Sequence, residues 1–382
     1  MNNYLVPSYP NRGINFVTGK GIYLVDDKGR KFLDLGSNYG VNIFGYNHPR
    51  ILGSLKKQLE TLINLHGSFN NNTRTLAAEK LTQICGGKLS QVFFSNSGAE
   101  AIEAALKFAR LATAKSHFIA MNHGYHGKTL GALSATGGDK YRHFFEPLLW
   151  QFSHVPFGDI KAVEKNIRQD TSAIIIEPIQ GEGGIKLATK IYFRALQKLC
   201  QAKNILLIVD EIQTGLGRTG TFLAGQQFGL TPDILCLGKG LAGGIPIGAT
   251  LVTETIAQAI PLHIHTTTFG GNPLATAGIL ATLAEINQNL LQHIRSTGKY
   301  FLSALKKIKH PKIIEARGIG LMLGLELTEN ATWLLKALQE KYIIAIPAGS
   351  NIVRFLPPYL ISKKEVNKAI KIINRIFSIS KH

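Results

Sequence analysis

Three stretches limit what this chain can fold into: "SAIIIEPIQGEGG", "NILLIVDEIQTG" and "DILCLGKGLAGG". Each opens on an apolar run too short for a buried helix and too continuous for a strand with one wet face. Each ends where polarity returns, at Glu177, at Asp210, and at Gly238 just before Lys239. Helical segments separate the three. A strand apolar on both faces must be covered on both, and strands that alternate with helices run parallel. The expectation is an α/β fold on a mainly parallel sheet. Ligands of such sheets bind beyond the carboxyl ends of the strands, which is where Glu177, Asp210 and Lys239 fall.

Other segments extend this pattern. "QVFFSNSGAEAIEAALKFAR" reads as a short strand, a polar turn and a helix. Residues 14–35 alternate apolar and polar around "DDKGRK", a β-hairpin signal. Residues 48–65 and 73–85 have helical spacing. From about residue 275 come a helix, "KIIEARGIGLMLGLEL", a second helix, and short strands near Ile343–Pro347 and Ile352–Leu356. With 382 residues, two interleaved domains are expected. The large one spans 48–275. A smaller α+β domain is assembled from 1–47 and 276–382.

Several function classes drop out. No apolar run is long enough to span a bilayer, and "MNNYLVPSYP" lacks the basic-then-apolar order of a signal peptide. Cys85, Cys200 and Cys236 are scattered, with no CxxC pair. That argues against a disulfide framework or a zinc site and for a reducing cytoplasm. The net charge of +19 raises the question of a polyanionic partner. The lysines come in small groups, Lys56-Lys57, Lys306-Lys307 and Lys363-Lys364, and no nucleic-acid motif accompanies them. No nucleic acid is expected; an acidic protein partner stays open.

Two glycine motifs compete for attention. "MNHGYHGKTL" contains Gly127-Lys128-Thr129, but Asn122 stands where a phosphate loop needs glycine, and Tyr125 and His126 crowd the cradle. "GLGRTG" matches the dinucleotide fingerprint after a strand. No clear helix follows it, however, and Gly240 sits where an acid is required. It reads as a structured loop. His123/His126 and His263/His265 have no acidic or cysteine companion in sequence, so no metal is expected.

Lys239, between two glycines after a buried strand, is either a turn lysine or a partly desolvated amine that condenses with an aldehyde. Asp210 is either a helix cap or a fixed anion against a ring nitrogen. Ser97, Gly98 and Ala99 open an alanine-rich helix. They form a capping box with Glu100, a phosphate site, or both. A pyridoxal phosphate enzyme requires the lysine, the acid and the phosphate turn together.

In order along the chain, "NSGAEAIEAALKFAR", "EPIQGEGG", "VDEIQTGLGRTG", "PDILCLGKGLAGG" and "TTTFGGNPLA" resemble the class III aminotransferases of the fold-type I pyridoxal phosphate enzymes. "GLMLGLEL" and "IPAGSNIVRFLPP" are similar to the acetylornithine branch, which includes enzymes acting on lysine or ornithine precursors attached to an amino-group carrier protein. The resemblance implies roles. Lys239 would bond to the cofactor and shuttle the proton, Asp210 would pair with the pyridine nitrogen, and Gln213 would meet the phenolic oxygen. Tyr125 would stack on the ring, Ser97, Gly98 and Ala99 would hold the phosphate, and Glu177 joins the cofactor set. Thr268 would reach the cofactor of a second subunit, which makes the active unit a homodimer. Arg354 would clamp a substrate α-carboxylate, and Glu182 would pair with Arg354 when an ω-amino donor is bound. Lys128 stands where that branch has arginine, against a substrate carboxylate. Tyr9 and Tyr39 would line the substrate pocket. The implied reaction exchanges an amino group between glutamate/2-oxoglutarate and an N-acylated amino-acid semialdehyde in arginine or lysine biosynthesis. Alternatives on the same fold are carrier-bound lysine or ornithine, ornithine, or 4-aminobutyrate transamination, and a non-transaminase such as an aminomutase.

Overall fold

The computed structural model describes residues 4–149 and 151–379. Strands β1 (Phe16–Lys20), β2 (Tyr23–Asp26) and β3 (Lys31–Asp34) form an antiparallel meander. The turn from β2 to β3 is "DDKGRK". Asp26 Oδ1 accepts from the N–H groups of Lys28 and Arg30, and Gly29 takes φ +75°, which a residue with a Cβ rarely adopts. Helices Pro49–Leu59 and Asn72–Cys85 follow.

The central sheet is then laid down. Strands β4 (Leu89–Ser95), β5 (His117–Met121), β6 (Gln151–Val155) and β7 (Thr171–Ile176) precede a small ribbon of β8 (Ile179–Gln180) and β9 (Lys186–Leu187). After it come β10 (Leu206–Asp210), β11 (Ile234–Leu237) and β12 (Gly248–Thr253). The sheet has seven strands in the order β4-β12-β11-β10-β7-β5-β6. From β11 to β6 every pairing is parallel. Strand β12 is antiparallel to both β11 and β4, so the sheet is mixed around a parallel core. Residues 238–247 are too few for a crossover, which takes a dozen or more; a short return can only place the next strand antiparallel.

Alternation along the buried strands sorts their side chains into two cores. Ile174, Ile176, Leu207 and Val209 pack on one face with Phe193 and Leu196 of the helix Lys190–Lys203. Ala173, Ile175 and Ile208 pack on the other with Ala101, Ala105 and Phe108 of the helix Gly98–Thr113. Each large aliphatic buried this way contributes about 1.5–3 kcal/mol.

The C-terminal part begins with the helix Gln288–Lys306. It continues through β13 (Ile313–Ile319), β14 (Met322–Leu327), the helix Thr332–Glu340, β15 (Ile343–Ile344), β16 (Ile346–Ala348), β17 (Ile352–Phe355) and the helix Lys363–Ile379. Strands β13-β14-β17-β16 form an antiparallel sheet. Strand β15 leaves that sheet and pairs in parallel with β3, Leu33 opposite Ile343. The two ends of the chain thus share a sheet. The "GLGRTG" loop stitches the C-terminal part to the central one. Arg218, 1% exposed, donates from Nη1 to the carbonyls of Leu321 (3.1 Å) and Pro357 (2.6 Å), and its guanidinium lies 4.7 Å from the Tyr359 ring centroid. Among the described residues no helix is long and apolar enough to cross a membrane.

Candidate active site

The floor of the site comes from three neighbouring strands. Asp210 ends β10, Glu177 follows β7, and Lys239 follows β11 after Gly238. Asp210 is 4% exposed. Its Oδ1 accepts from the N–H of Ile212 (3.0 Å), and its Oδ2 lies 2.8 Å from His126 Nδ1. Because a carboxylate only accepts, the Nδ1 proton belongs to His126. Among the described residues His126 Nε2 is buried and has no hydrogen-bond partner. Glu177 is also buried; its oxygens accept from the N–H groups of Tyr125 (3.2 Å) and Gly181 (3.3 Å). It therefore pins two loops to the sheet. Burial raises its pKa above the usual carboxylate range, against the opposing pull of His126.

Lys239 is partly buried and takes φ +47°, a strained conformation for a residue with a side chain. Burial lowers its pKa; Asp210 resists that shift and Arg354 adds to it. The amine is thus neutral more often than a surface lysine. Gly240 beside it packs tightly, since a Cβ there would come 2.7 Å from Ile43 Cγ2.

The turn after β4 forms the capping box expected of it. Ser97 Oγ accepts from the Glu100 N–H (3.2 Å), and Glu100 reaches back to the N–H of Asn96 (2.7 Å), a capping arrangement. The first intrahelical bond runs from the Ala101 N–H to the Ser97 carbonyl. The N–H groups of Gly98 and Ala99 therefore stay outside the helix ladder, at the positive end of its dipole. A Cβ on Gly98 would come 2.9 Å from Ile212 Cγ2, so this turn abuts the segment that carries Asp210.

The mouth is assembled differently. Arg354 on β17 is fully buried. Its Nη2 donates to Glu182 Oε2 (2.9 Å) and to the Pro347 carbonyl (2.9 Å), and its Nη1 donates to Gln213 Oε1 (3.0 Å). Its guanidinium lies 5.6 Å from the Tyr39 ring centroid. Glu182, on the loop of the β8–β9 ribbon, also accepts from the Tyr141 hydroxyl (2.8 Å). Tyr141 meets the Tyr125 ring edge-on at 5.4 Å. Lys128 is exposed, with Nζ 5.5 Å from the Tyr141 ring centroid. Tyr9 is 87% exposed and close enough to Tyr125 to influence its ionisation.

Within one chain the structure thus gathers Lys239, Asp210, Glu177, Gln213, Tyr125, Glu182, Arg354, Tyr39 and Lys128 around one cleft. Thr268 is exposed on the loop before Pro273, while its neighbour Thr267 accepts from Asn96 Nδ2 (3.2 Å) beside the phosphate turn. Two residues escaped the sequence reading. His126 was weighed as a metal ligand and as a residue crowding a phosphate loop, whereas it holds Asp210; its place next to Tyr125 was the available signal. Tyr141 gave no signal. His123 takes φ +63° and is exposed. Among the described residues, no group of three or more His, Cys, Asp or Glu could hold a metal ion.

Residues 5–377 match Aminotransferase class-III. The chain belongs to the class-III aminotransferases. This aminotransferase is 42% identical to an acetylornithine aminotransferase of Aquifex aeolicus, over 98% of its own length and 99% of the relative's. It is 39% identical to a protein of Pyrococcus furiosus provisionally named a LysW-aminoadipate semialdehyde/glutamate semialdehyde transaminase, covering 96% of each chain. It superposes with a TM-score of 0.93 on a crystal structure of Toxoplasma gondii ornithine aminotransferase with PLP at partial occupancy. Identity there is 32%, with coverage of 98% of this chain and 92% of that one. The aminotransferase uses pyridoxal 5′-phosphate, and its cleft fits that group. A desolvated amine lies within reach of the charge of a buried carboxylate held by a histidine, and the N–H groups of the first helical turn after Ser97 abut the segment that carries that carboxylate.

Proposed function

We propose that this aminotransferase exchanges an amino group between glutamate/2-oxoglutarate and an N-acylated amino-acid semialdehyde of the N-acetylornithine type. The observation that carries this reading is the ion pair between Arg354 and Glu182 (2.9 Å). Glutamate brings a carboxylate next to its reacting amine; an ω-amine donor does not. A buried arginine serves both if a carboxylate of the protein covers it for one and leaves it for the other, because an unpaired buried charge is strongly penalised. The Aquifex aeolicus and Pyrococcus furiosus relatives support substrates of this class.

When bound, pyridoxal phosphate supplies an electron sink for breaking the C–H bond beside the amine. Asp210 would set a negative charge against the ring nitrogen, aimed by His126. Gly98, Ala99 and Ser97 would hold the phosphate, Tyr125 would cover the ring, and Gln213 would face its oxygen. Lys239 Nζ would take the proton from the amine-bearing carbon and later return it. Arg354 would hold the α-carboxylate of glutamate by two parallel bonds once Glu182 has left. Lys128, with Tyr9 and Tyr39 at the rim, would meet the far carboxylate. Thr268 would act on the cofactor of a second copy of the chain, so the active unit is read as a homodimer. The free, buried cysteines Cys85, Cys200 and Cys236 support a cytoplasmic location.

A second reading, an acceptor attached to an acidic carrier protein, rests on the +19 charge and the Pyrococcus furiosus relative. A half-reaction panel decides. Glutamate, N-acetylornithine, ornithine, N-acetyllysine, 4-aminobutyrate and a carrier-bound amine would each be added to loaded enzyme, and the loss of cofactor absorbance followed. Fast loss with glutamate and N-acetylornithine supports the first reading. Fast loss only with the carrier-bound amine, slowed by salt, supports the second. Turnover with one amino acid and no amino acceptor would point to an aminomutase and sink both.

A further inference from the structure

Glu182 has a second partner. While its Oε2 faces Arg354, its Oε1 accepts the Tyr141 hydroxyl at 2.8 Å. Tyr141 lies on the short helix Asp139–Arg142, apart in sequence from both the ribbon that carries Glu182 and the strand that carries Arg354. Its ring is fixed from several sides: Tyr125 meets it edge-on at 5.4 Å, and the ammonium groups of Lys140 and Lys128 stand 4.5 and 5.5 Å from its centroid. Burial and the Glu182 charge both raise its pKa, so the phenol keeps the proton it donates. The carboxylate is thus held at both oxygens by groups from different parts of the chain.

We propose that Tyr141 is a second latch on Glu182, a positioning residue that sets how the site divides its turnover between ω-amine and α-amino-acid donors. This rests on the reading of Glu182 and Arg354 given above. With the latch closed, Glu182 stays on Arg354 and an ω-amine donor finds the arginine neutralised. To admit glutamate, Glu182 must give up both the arginine and the phenol. Removing the phenolic hydrogen bond therefore eases the entry of an α-carboxylate and leaves Arg354 less well covered for an ω-amine. A hydrogen bond to a charged group supports a shift of about tenfold.

The test uses enzyme loaded with pyridoxal phosphate and compares wild type, Tyr141→Phe, Glu182→Gln and the double variant. Single-turnover kcat/KM is measured with glutamate and with N-acetylornithine. Binding of glutarate, which competes with Glu182 for Arg354 without reacting, is measured by calorimetry. Phenylalanine keeps the ring and its packing, so folding is not at issue. Tyr141→Phe is expected to move the glutamate to N-acetylornithine ratio about tenfold toward glutamate and to tighten glutarate. The double variant should add little to Glu182→Gln, since both act through one carboxylate. If Glu182→Gln shifts the ratio and Tyr141→Phe does not, the latch is wrong and the ion-pair reading stands. If neither shifts it, the ion-pair reading fails and takes the latch with it. An equal loss with both donors, or a shift toward N-acetylornithine, also overturns the latch.

Discussion

At the floor of the cleft, Asp210, Glu177 and Lys239 extend from the ends of three adjacent strands of one sheet. At the mouth, Glu182, Tyr141 and Arg354 come from a two-strand ribbon, a short helix and the C-terminal sheet. Asp210 is 4% exposed and tied to a backbone N–H and to His126, whereas the Glu182 side chain is 23% exposed and tied to the side chains of Arg354 and Tyr141. The floor cannot shift without disturbing the sheet; the mouth can exchange partners one bond at a time. Steps common to every donor need fixed charges. Choosing between donors needs a charge that can be covered and uncovered.

If this division holds, floor substitutions slow all donors alike and mouth substitutions change the ratio between donors. Lys239→Ala should show the largest effect, a loss on the order of 10⁴-fold with glutamate and N-acetylornithine alike, read in single-turnover absorbance. The same amine gives a pH test. Only the neutral amine attacks an aldehyde, and burial lowers the pKa of Lys239. Uptake of pyridoxal phosphate by the stripped protein should therefore rise with pH and level off below the ordinary lysine value of about 10.4. A rate that keeps rising through that value would show an unperturbed amine. Arg354→Ala should lower kcat/KM for glutamate by about 10²-fold and that for N-acetylornithine far less. Equal losses would erase the distinction between floor and mouth. His126→Ala leaves Asp210 without its 2.8 Å partner and should slow both donors by about tenfold. A shift in the donor ratio there would break the comparison from the other side. Lys128→Arg should have the smallest effect, lowering KM about threefold by offering a planar fork to the far carboxylate. An unchanged KM would mean that positive charge alone matters at that position.

How much of this was legible in the sequence follows the same division. Asp210 and Lys239 could be found because the strands before them are unbroken apolar runs, so the first charged residue after each run marks the end of the sheet. Strand direction was not legible in "GATLVT": a buried strand looks the same in either direction, and only the short connection after Leu237 showed that β12 is antiparallel. The contact of His126 with Asp210, two residues 84 positions apart, leaves no periodic trace. Tyr141 was invisible for the same reason, since its bond to Glu182 spans 41 positions between irregular segments. Arg354 and Glu182 were named through family resemblance, because no local pattern distinguishes a buried arginine from an exposed one.

The pairing of β3 with β15 has a consequence for how the protein is made. Leu33 waits for Ile343, about 310 residues later, and at the usual pace of translation that is on the order of 15–60 s. Throughout that time the edge of β3 emerging from the ribosome has no neighbour, the condition in which strands recruit wrong ones. Arg354 is synthesised later still. A nascent chain thus carries its lysine and its aspartate before it has the buried arginine that lines the mouth of the site.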